Sequence, residues 1–172
     1  MKKGLIDRFR SLPMSRSAVL VGRTLADVVT NLLSLMILLG VGLLVGLSLT
    51  SSPLEVVAGI ALMLLFGFAF SWVFAFIGLS SSSPEAAQSL GFIAIFPLTF
   101  ASSAFVPVES MPNWLQAFAE VNPFTIITDA MRALLVDAPA GNNVWGAVLW
   151  SVGIIAVFAP LAVRRYRRTV ST

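Results

Sequence analysis

Four long stretches of this chain, residues 28–49, 56–79, 86–106 and 144–163, contain no Asp, Glu, Lys or Arg. Each is long enough to cross a hydrocarbon layer of about 30 Å, which takes roughly 20 helical residues. Inside such a layer the backbone must satisfy its own hydrogen bonds, and runs of this length without strand-like alternation do so only as helices. The chain is therefore expected to be all-α, a polytopic transmembrane bundle of four spanning helices forming a single membrane domain over residues 1–172. Composition agrees: 58% of the residues are hydrophobic and 11% charged, more apolar surface than a water-soluble domain could hide.

The positions of the cations orient the bundle. Lys2, Lys3, Arg8, Arg10, Arg16 and Arg23 precede the first run, and Arg164, Arg165, Arg167 and Arg168 follow the last. Short cytoplasmic segments retain Lys and Arg, and an even number of spans puts both clusters on one side. Residues 1–27 and the tail 164–172 are thus expected in the cytoplasm, with Arg132 alone outside. The charged stretch before the first run is unlike a signal peptide, so residue 1 is expected to open a cytosolic segment.

The connections are unequal. Residues 50–55 read as a tight external turn around Pro53. Residues 80–85 read as an internal turn in which Ser83 caps the next helix, Pro84 takes the first helical position and Glu85 meets the positive end of the helix dipole. The external segment 107–143 is far longer. Its first part, 111–119, carries Trp114, Leu115 and Phe118 on one face. Its second part, 124–136, places Ile126, Ile127, Ala130, Met131, Leu134 and Leu135 at helical spacing, with Thr128, Asp129 and Arg132 turned away. Neither can span, so two short amphipathic rim or re-entrant helices are expected.

The missing residue types exclude much chemistry. With no His and no Cys there is no imidazole or thiolate metal site and no disulfide. The nearest string to a nucleotide-binding loop, Gly22-Arg23-Thr24, lacks its lysine, and no ionisable residue lies within the runs to relay protons or ions. Glu109, Glu120, Asp129 and Asp137 fall on the external side without a nucleophile or metal ligand at useful spacing, which argues for solvated surface and against a hydrolase. No cofactor, metal or nucleic-acid partner is expected of this chain; the lipid bilayer is its surroundings.

Several residues read two ways. Arg23 and Asp27, four apart, suit a local ion pair. Asn31 and Ser34 serve as interhelical hydrogen-bond glue or line a polar path. Gly42 and Gly46, beside Gly40, suit close helix approach. Pro97, followed by Thr99, Ser102 and Ser103, marks a mid-span kink or a bend that moves in a transport cycle. Trp145, Trp150 and Tyr166 look like interfacial anchors. At the N-terminus Leu5, Ile6, Phe9 and Leu12 share a helical face, Lys2, Lys3, Arg8 and Arg10 surround it, and Pro13 ends it. That is either an anchor on anionic lipid or a docking helix for a cytosolic partner.

The order of these features resembles a known family. The residues that carry the resemblance are G-L-I-D-R-F-R-S-L-P-M-S-R-S-A-V-L-V-G-R at 4–23, S-P-E-A-A-Q at 83–88, P-L-T-F-A-S-S-A-F-V-P-V-E-S-M-P-N-W-L-Q at 97–116, N-P-F-T at 122–125 and D-A-M-R-A-L-L at 129–135. Together they resemble the permease subunits of type-2 ATP-binding-cassette exporters, especially the daunorubicin-resistance-type drug export permeases. The resemblance implies that Leu5, Arg8, Phe9, Arg10, Leu12 and Pro13 belong to a cytoplasmic coupling helix seated in a separate ATPase subunit, which binds the ATP and Mg. It implies an external rim containing Trp114, Phe118, Asp129 and Arg132, and a second permease copy or related permease. It also implies a place in a bacterial cytoplasmic membrane, and export of an amphiphilic drug or lipid-like metabolite past candidates such as Asn31, Ser34, Pro97, Thr99, Ser102 and Ser103. Permeases of this family typically have two spans before the coupling helix, so the chain is expected to correspond to the later four spans of six. The competing expectation is a membrane scaffold or assembly subunit that transports nothing.

Overall fold

A computed structural model describes residues 16–136 and 143–170, with side chains over 29–136 and 143–166. The expected coupling residues Leu5, Arg8, Phe9, Arg10, Leu12 and Pro13 lie outside the described residues, as do Asp137 and the side chains of Arg23 and Asp27. All the regular structure described is helical. It comprises α1 (Arg16–Val45), α2 (Pro53–Ser80), α3 (Pro84–Phe100), a 3-10 turn (Val108–Ser110), α4 (Asn113–Val121), α5 (Pro123–Val136) and α6 (Asn143–Val170).

Local chemistry sets the helix starts. The Ser52 hydroxyl accepts from the Glu55 N–H at 3.4 Å while the Glu55 carboxylate accepts from the Ser52 N–H at 2.7 Å, and Pro53 supplies a first-turn residue that needs no partner. This reciprocal cap starts α2 at Pro53, so the stretch expected as a turn through residue 55 is already helix. Ser83 caps α3 as the sequence suggests, accepting from the Ala86 N–H at 3.2 Å with Pro84 next. The Glu85 carboxyl is held below its usual value by its own backbone N–H and by the Ser83 hydroxyl.

The chain forms two units, residues 1–42 and 43–172. In the first, Val29, Leu33 and Ile37 of α1 are all exposed, an apolar surface that water does not favour. In the second, α2 and α6 pack along one another and α5 lies against both. Their core is Leu62 and Phe66 of α2, Ile127 and Ala130 of α5, and Ala147 of α6. Phe124, at the start of α5, meets Phe66 edge-on at 5.6 Å and Phe70 at 5.1 Å, the favoured geometry for aromatic quadrupoles. Close approach is also set by glycine: a Cβ on Gly91 of α3 would come within 2.8 Å of the Phe74 ring. The Gly42–Gly46 pair is not such a contact. Gly46 adopts φ 111° just past the end of α1, so the two do not share a helix face.

By length and apolarity, Pro53–Ser80 and Asn143–Tyr166 can each cross a membrane, and Val29–Val45 is a shorter apolar helix. The third expected run divides: α3 has 17 residues and stops at Phe100, and residues 101–106 are turns. Trp145 and Tyr166 sit exposed near opposite ends of α6, as anchors would. Replacing Ser52 by Ala should lower stability by about 1 kcal/mol, read as a lower melting temperature in detergent micelles. The exposed Ser82→Ala, beyond the other end of α2, should leave it unchanged.

Candidate functional site

Where α3 ends, its last carbonyls lose their intrahelical partners. Two of them, Leu98 O and Ala101 O, are taken by one side chain: Asn122 donates from Nδ2 to both, at 2.7 and 2.8 Å. Asn122 stands between α4 and α5. Its Oδ1 accepts from the Phe124 N–H at 2.9 Å, its own N–H donates to Ala119 O, and its carbonyl accepts from the Ile126 N–H. Every polar group of this residue is used, and it is 2% exposed. Pro123 then takes the first position of α5, and Phe124 enters the aromatic cluster. One short motif thus ends α3, links α4 to α5 and wedges α5 into the core.

A second layer surrounds this joint. The Ser103 N–H donates to Thr125 Oγ1 at 3.2 Å and the Ser103 hydroxyl to Asp129 Oδ1 at 2.7 Å. Arg132 returns to the same residue, Nη2 donating to Ser103 O at 2.8 Å, and pairs with Asp129 Oδ1 at 3.2 Å. Asn143, first residue of α6, donates to Asp129 Oδ2 at 3.5 Å. The Arg132–Asp129 pair is partly exposed, so its own contribution is small, within about 1 kcal/mol. Its value is geometric, because it joins the turn after α3 to α5 and α6.

The residues singled out from the sequence divide accordingly. Ser103, Asp129 and Arg132 come together, with Ser102 beside Ser103 in the chain. Asp129 and Arg132 are not turned away, and Asp129 is not solvated surface, because the turn after α3 supplies a hydroxyl and a carbonyl for them. Pro97 lies three residues from the end of α3 rather than in mid-span. The Thr99 hydroxyl donates to Ile95 O at 3.0 Å, not to the Ile93 carbonyl that Pro97 leaves without its N–H partner. The Ser102 hydroxyl, fully buried, is spent on Thr99 O. Trp114 and Phe118 face outward at 75% and 43% exposure, apart from this knot. Asn31 and Ser34 lie in the first unit, exposed, with the Ser34 hydroxyl donating to Thr30 O.

Asn122 and Thr125 were not expected as site residues. Asn immediately before Pro at the head of an apolar helical pattern is a recognisable N-cap signal; the two carbonyls it also captures are invisible in sequence. A polar pocket of about 220 Å3 lies beside the knot, bordered by Glu109, Glu120, Asp129 and Asn143, and an apolar one of about 340 Å3 by Met63, Met131 and Arg132. Among the described residues no group of His, Cys, Asp or Glu is arranged to hold a metal ion. The hydroxyls of the knot are committed to backbone and carboxylate, so what this arrangement does is hold two short helices in fixed geometry between the end of α3 and the head of α6.

Asn122→Ala should be strongly destabilising, at about 1–3 kcal/mol for each buried group left unsatisfied. Asn122→Asp should not rescue it, since a carboxylate cannot donate to two carbonyls. Melting in detergent and limited proteolysis of residues 101–112 read both effects.

Comparison with known proteins places the chain in context. Residues 1–136 match the model of a family described as ABC-2 type transporter. A daunorubicin resistance ABC transporter permease protein of Streptomyces coeruleorubidus is 38% identical over 165 residues, which is 96% of this chain and 58% of that protein. A "probable doxorubicin resistance ABC transporter permease protein" of Mycobacterium tuberculosis is 27% identical over 166 residues, 96% of this chain and 59% of the relative. An inner membrane transport permease of Escherichia coli is 25% identical over 171 residues, 98% of this chain and 45% of the relative. The chain therefore spans about three-fifths or less of the length of these relatives. No solved structure matches it.

Proposed function

Because the chain belongs to the ABC-2 type transporter family, we propose that it is the membrane-spanning permease part of an ATP-driven exporter of amphiphilic small molecules. The observation that carries this reading is the 38% identity, over 96% of the chain, to a protein named as a daunorubicin resistance permease. In this reading the four uncharged runs span the bilayer, the basic clusters at both ends lie in the cytoplasm, and the α4–α5 rim lies on the opposite face.

ATP and Mg bind a separate ATP-binding-cassette subunit. Residues 5–13 supply the contact: an apolar face of Leu5, Phe9 and Leu12 for a groove, Arg8 and Arg10 for acidic residues beside it, and Pro13 to set its angle independently of α1. A second copy, or a related permease, completes the transporter. The uncharged spans favour a substrate whose bulk is apolar, such as a drug or lipid-like metabolite. Force applied at the coupling segment has to move helices whose far ends are joined at the rim. A fixed rim lets those helices move together instead of fraying separately.

The test is association. Combined Arg8→Glu, Arg10→Glu and Phe9→Ala changes should reduce co-purification of the cognate ATPase by roughly tenfold or more, since truncating buried aromatic and arginine anchors costs the most at an interface. Unchanged co-purification would remove residues 5–13 from the docking role. Reconstitution of the full-length permease with that ATPase should give ATP-dependent movement of a fluorescent amphiphilic drug. ATP turnover indifferent to the permease, with no solute moved, would favour the scaffold reading.

A further inference from the structure

The hydroxyls of Thr99, Ser102 and Ser103 are spent on backbone and carboxylate, but one face of α3 stays open and is built of rings. Glu85, Phe92, Phe96 and Phe100 recur along it at spacings of seven, four and four residues, and Phe105 extends the row from the following turn. From Phe92 to Phe105 successive ring centroids lie 5.1, 4.3 and 5.1 Å apart, so the four rings form one continuous ladder. All four are exposed, at 46–65%. Gly91 lies against the Phe74 ring of α2, which turns the row away from that helix. From Glu85 to Phe100 the face is about 22 Å long, most of a hydrocarbon layer of about 30 Å.

What covers this face has to answer its electrostatics, which are electron-rich from end to end. Aromatic rings attract a cation within about 6 Å of their centroids, further than one rung of this ladder. Pro97, exposed beside Phe96, leaves the Ile93 carbonyl short of its helical donor within an apolar layer. At the start of the row, the Glu85 carboxylate is held in its charged form by its own backbone N–H and the Ser83 hydroxyl. At the other end, four residues after Phe105, Glu109 borders the polar pocket with Glu120. No Lys or Arg occurs in the sequence between Arg23 and Arg132, so α3 and its turn carry no cation of their own. An acyl chain has no charge to offer, and a packed helix is met in a bilayer by small residues, not by a row of phenylalanines.

We propose that this face of α3 binds a lipophilic organic cation, which Glu85 attracts at one edge of the bilayer and the rings from Phe92 to Phe105 hold across the hydrocarbon. The inference rests on the exporter reading and narrows its substrate class from amphiphiles to cations. In that reading Glu85 lies on the cytoplasmic side, and the ladder leads from there to the rim. Because each rung is shorter than the reach of a ring, the cation passes along the row without losing its partner.

The experiment is equilibrium dialysis of the full chain in detergent against tetraphenylphosphonium and tetraphenylborate, ions of the same shape and apolarity but opposite charge. The expected result is saturable binding of tetraphenylphosphonium that Phe96→Leu, which keeps an apolar side chain and removes the ring, weakens about fivefold, the size of one cation–π contact. Glu85→Gln should weaken it about twofold at low ionic strength. Leu90→Ala, equally exposed on α3 but off the row, should leave it unchanged. Phe92→Leu takes the place of Phe96→Leu if that variant fails to fold. Tetraphenylphosphonium binding that does not saturate, that is unchanged by the ring variant or by Glu85→Gln, or whose loss is matched by an equal loss for tetraphenylborate would overturn the proposal. So would conversion of a dimer to a monomer by Phe96→Leu with cation binding unchanged, which would make the face a contact between two copies. The exporter reading fails separately: cation-selective binding without ATP-dependent uptake of tetraphenylphosphonium, by the reconstituted full-length permease and its ATPase, would sink that reading and leave the site standing.

Discussion

The carboxamide of Asn122 donates to two carbonyls at the end of α3 and accepts from the first free N–H of α5. Much of the second unit depends on that exchange. A helix that ends inside an apolar region leaves carbonyls that neither lipid nor a packed core can satisfy. A side chain carrying two donors and one acceptor answers both helix ends at once, and Gln, one methylene longer, could not keep the same short span. With the carbonyls satisfied, α3 can stop at Phe100 and the chain can turn. α5 can then lie against α2 and α6 with Phe124 between Phe66 and Phe70.

The second layer turns a joint into a platform. Ser103, Thr125, Asp129, Arg132 and Asn143 come from the turn after α3, from α5 and from the head of α6, and each contact is modest in energy. Their effect is to remove alternatives: with Ser103 held through its N–H, hydroxyl and carbonyl, residues 101–106 have one path to follow. In the exporter reading proposed above, the knot would couple movement of α3 to α5 and α6, because it joins the turn after α3 to α5 and to the head of α6.

How much of this was legible in the sequence depends on the range of the interaction. The uncharged runs, the Ser83 cap with Pro84, and the two amphipathic helices on either side of Asn122 were legible because each rests on residues within a turn or two. The Ser52 to Glu55 cap was equally local, and Pro53 beside it suggested a turn instead of a helix start. The end of α3 was not legible. Apolar composition continues to Val106, while the termination depends on Asn122, more than twenty residues later in the chain. For the same reason Asp129, on the apparent outer face of an amphipathic helix, reads as solvated until the turn carrying Ser103 is placed beside it.

The most direct measurement of this account is hydrogen exchange at two amides. The Phe124 N–H, held by Asn122 Oδ1, and the Ser103 N–H, held by Thr125 Oγ1, both lie outside regular helical hydrogen bonding. If the knot organises the rim, both exchange slowly in the full chain in detergent, at rates comparable with the amides of α2, and both become fast together in Asn122→Ala. Exchange at the rate of a free loop in the unaltered chain would contradict the claim that this buried amide holds the rim together.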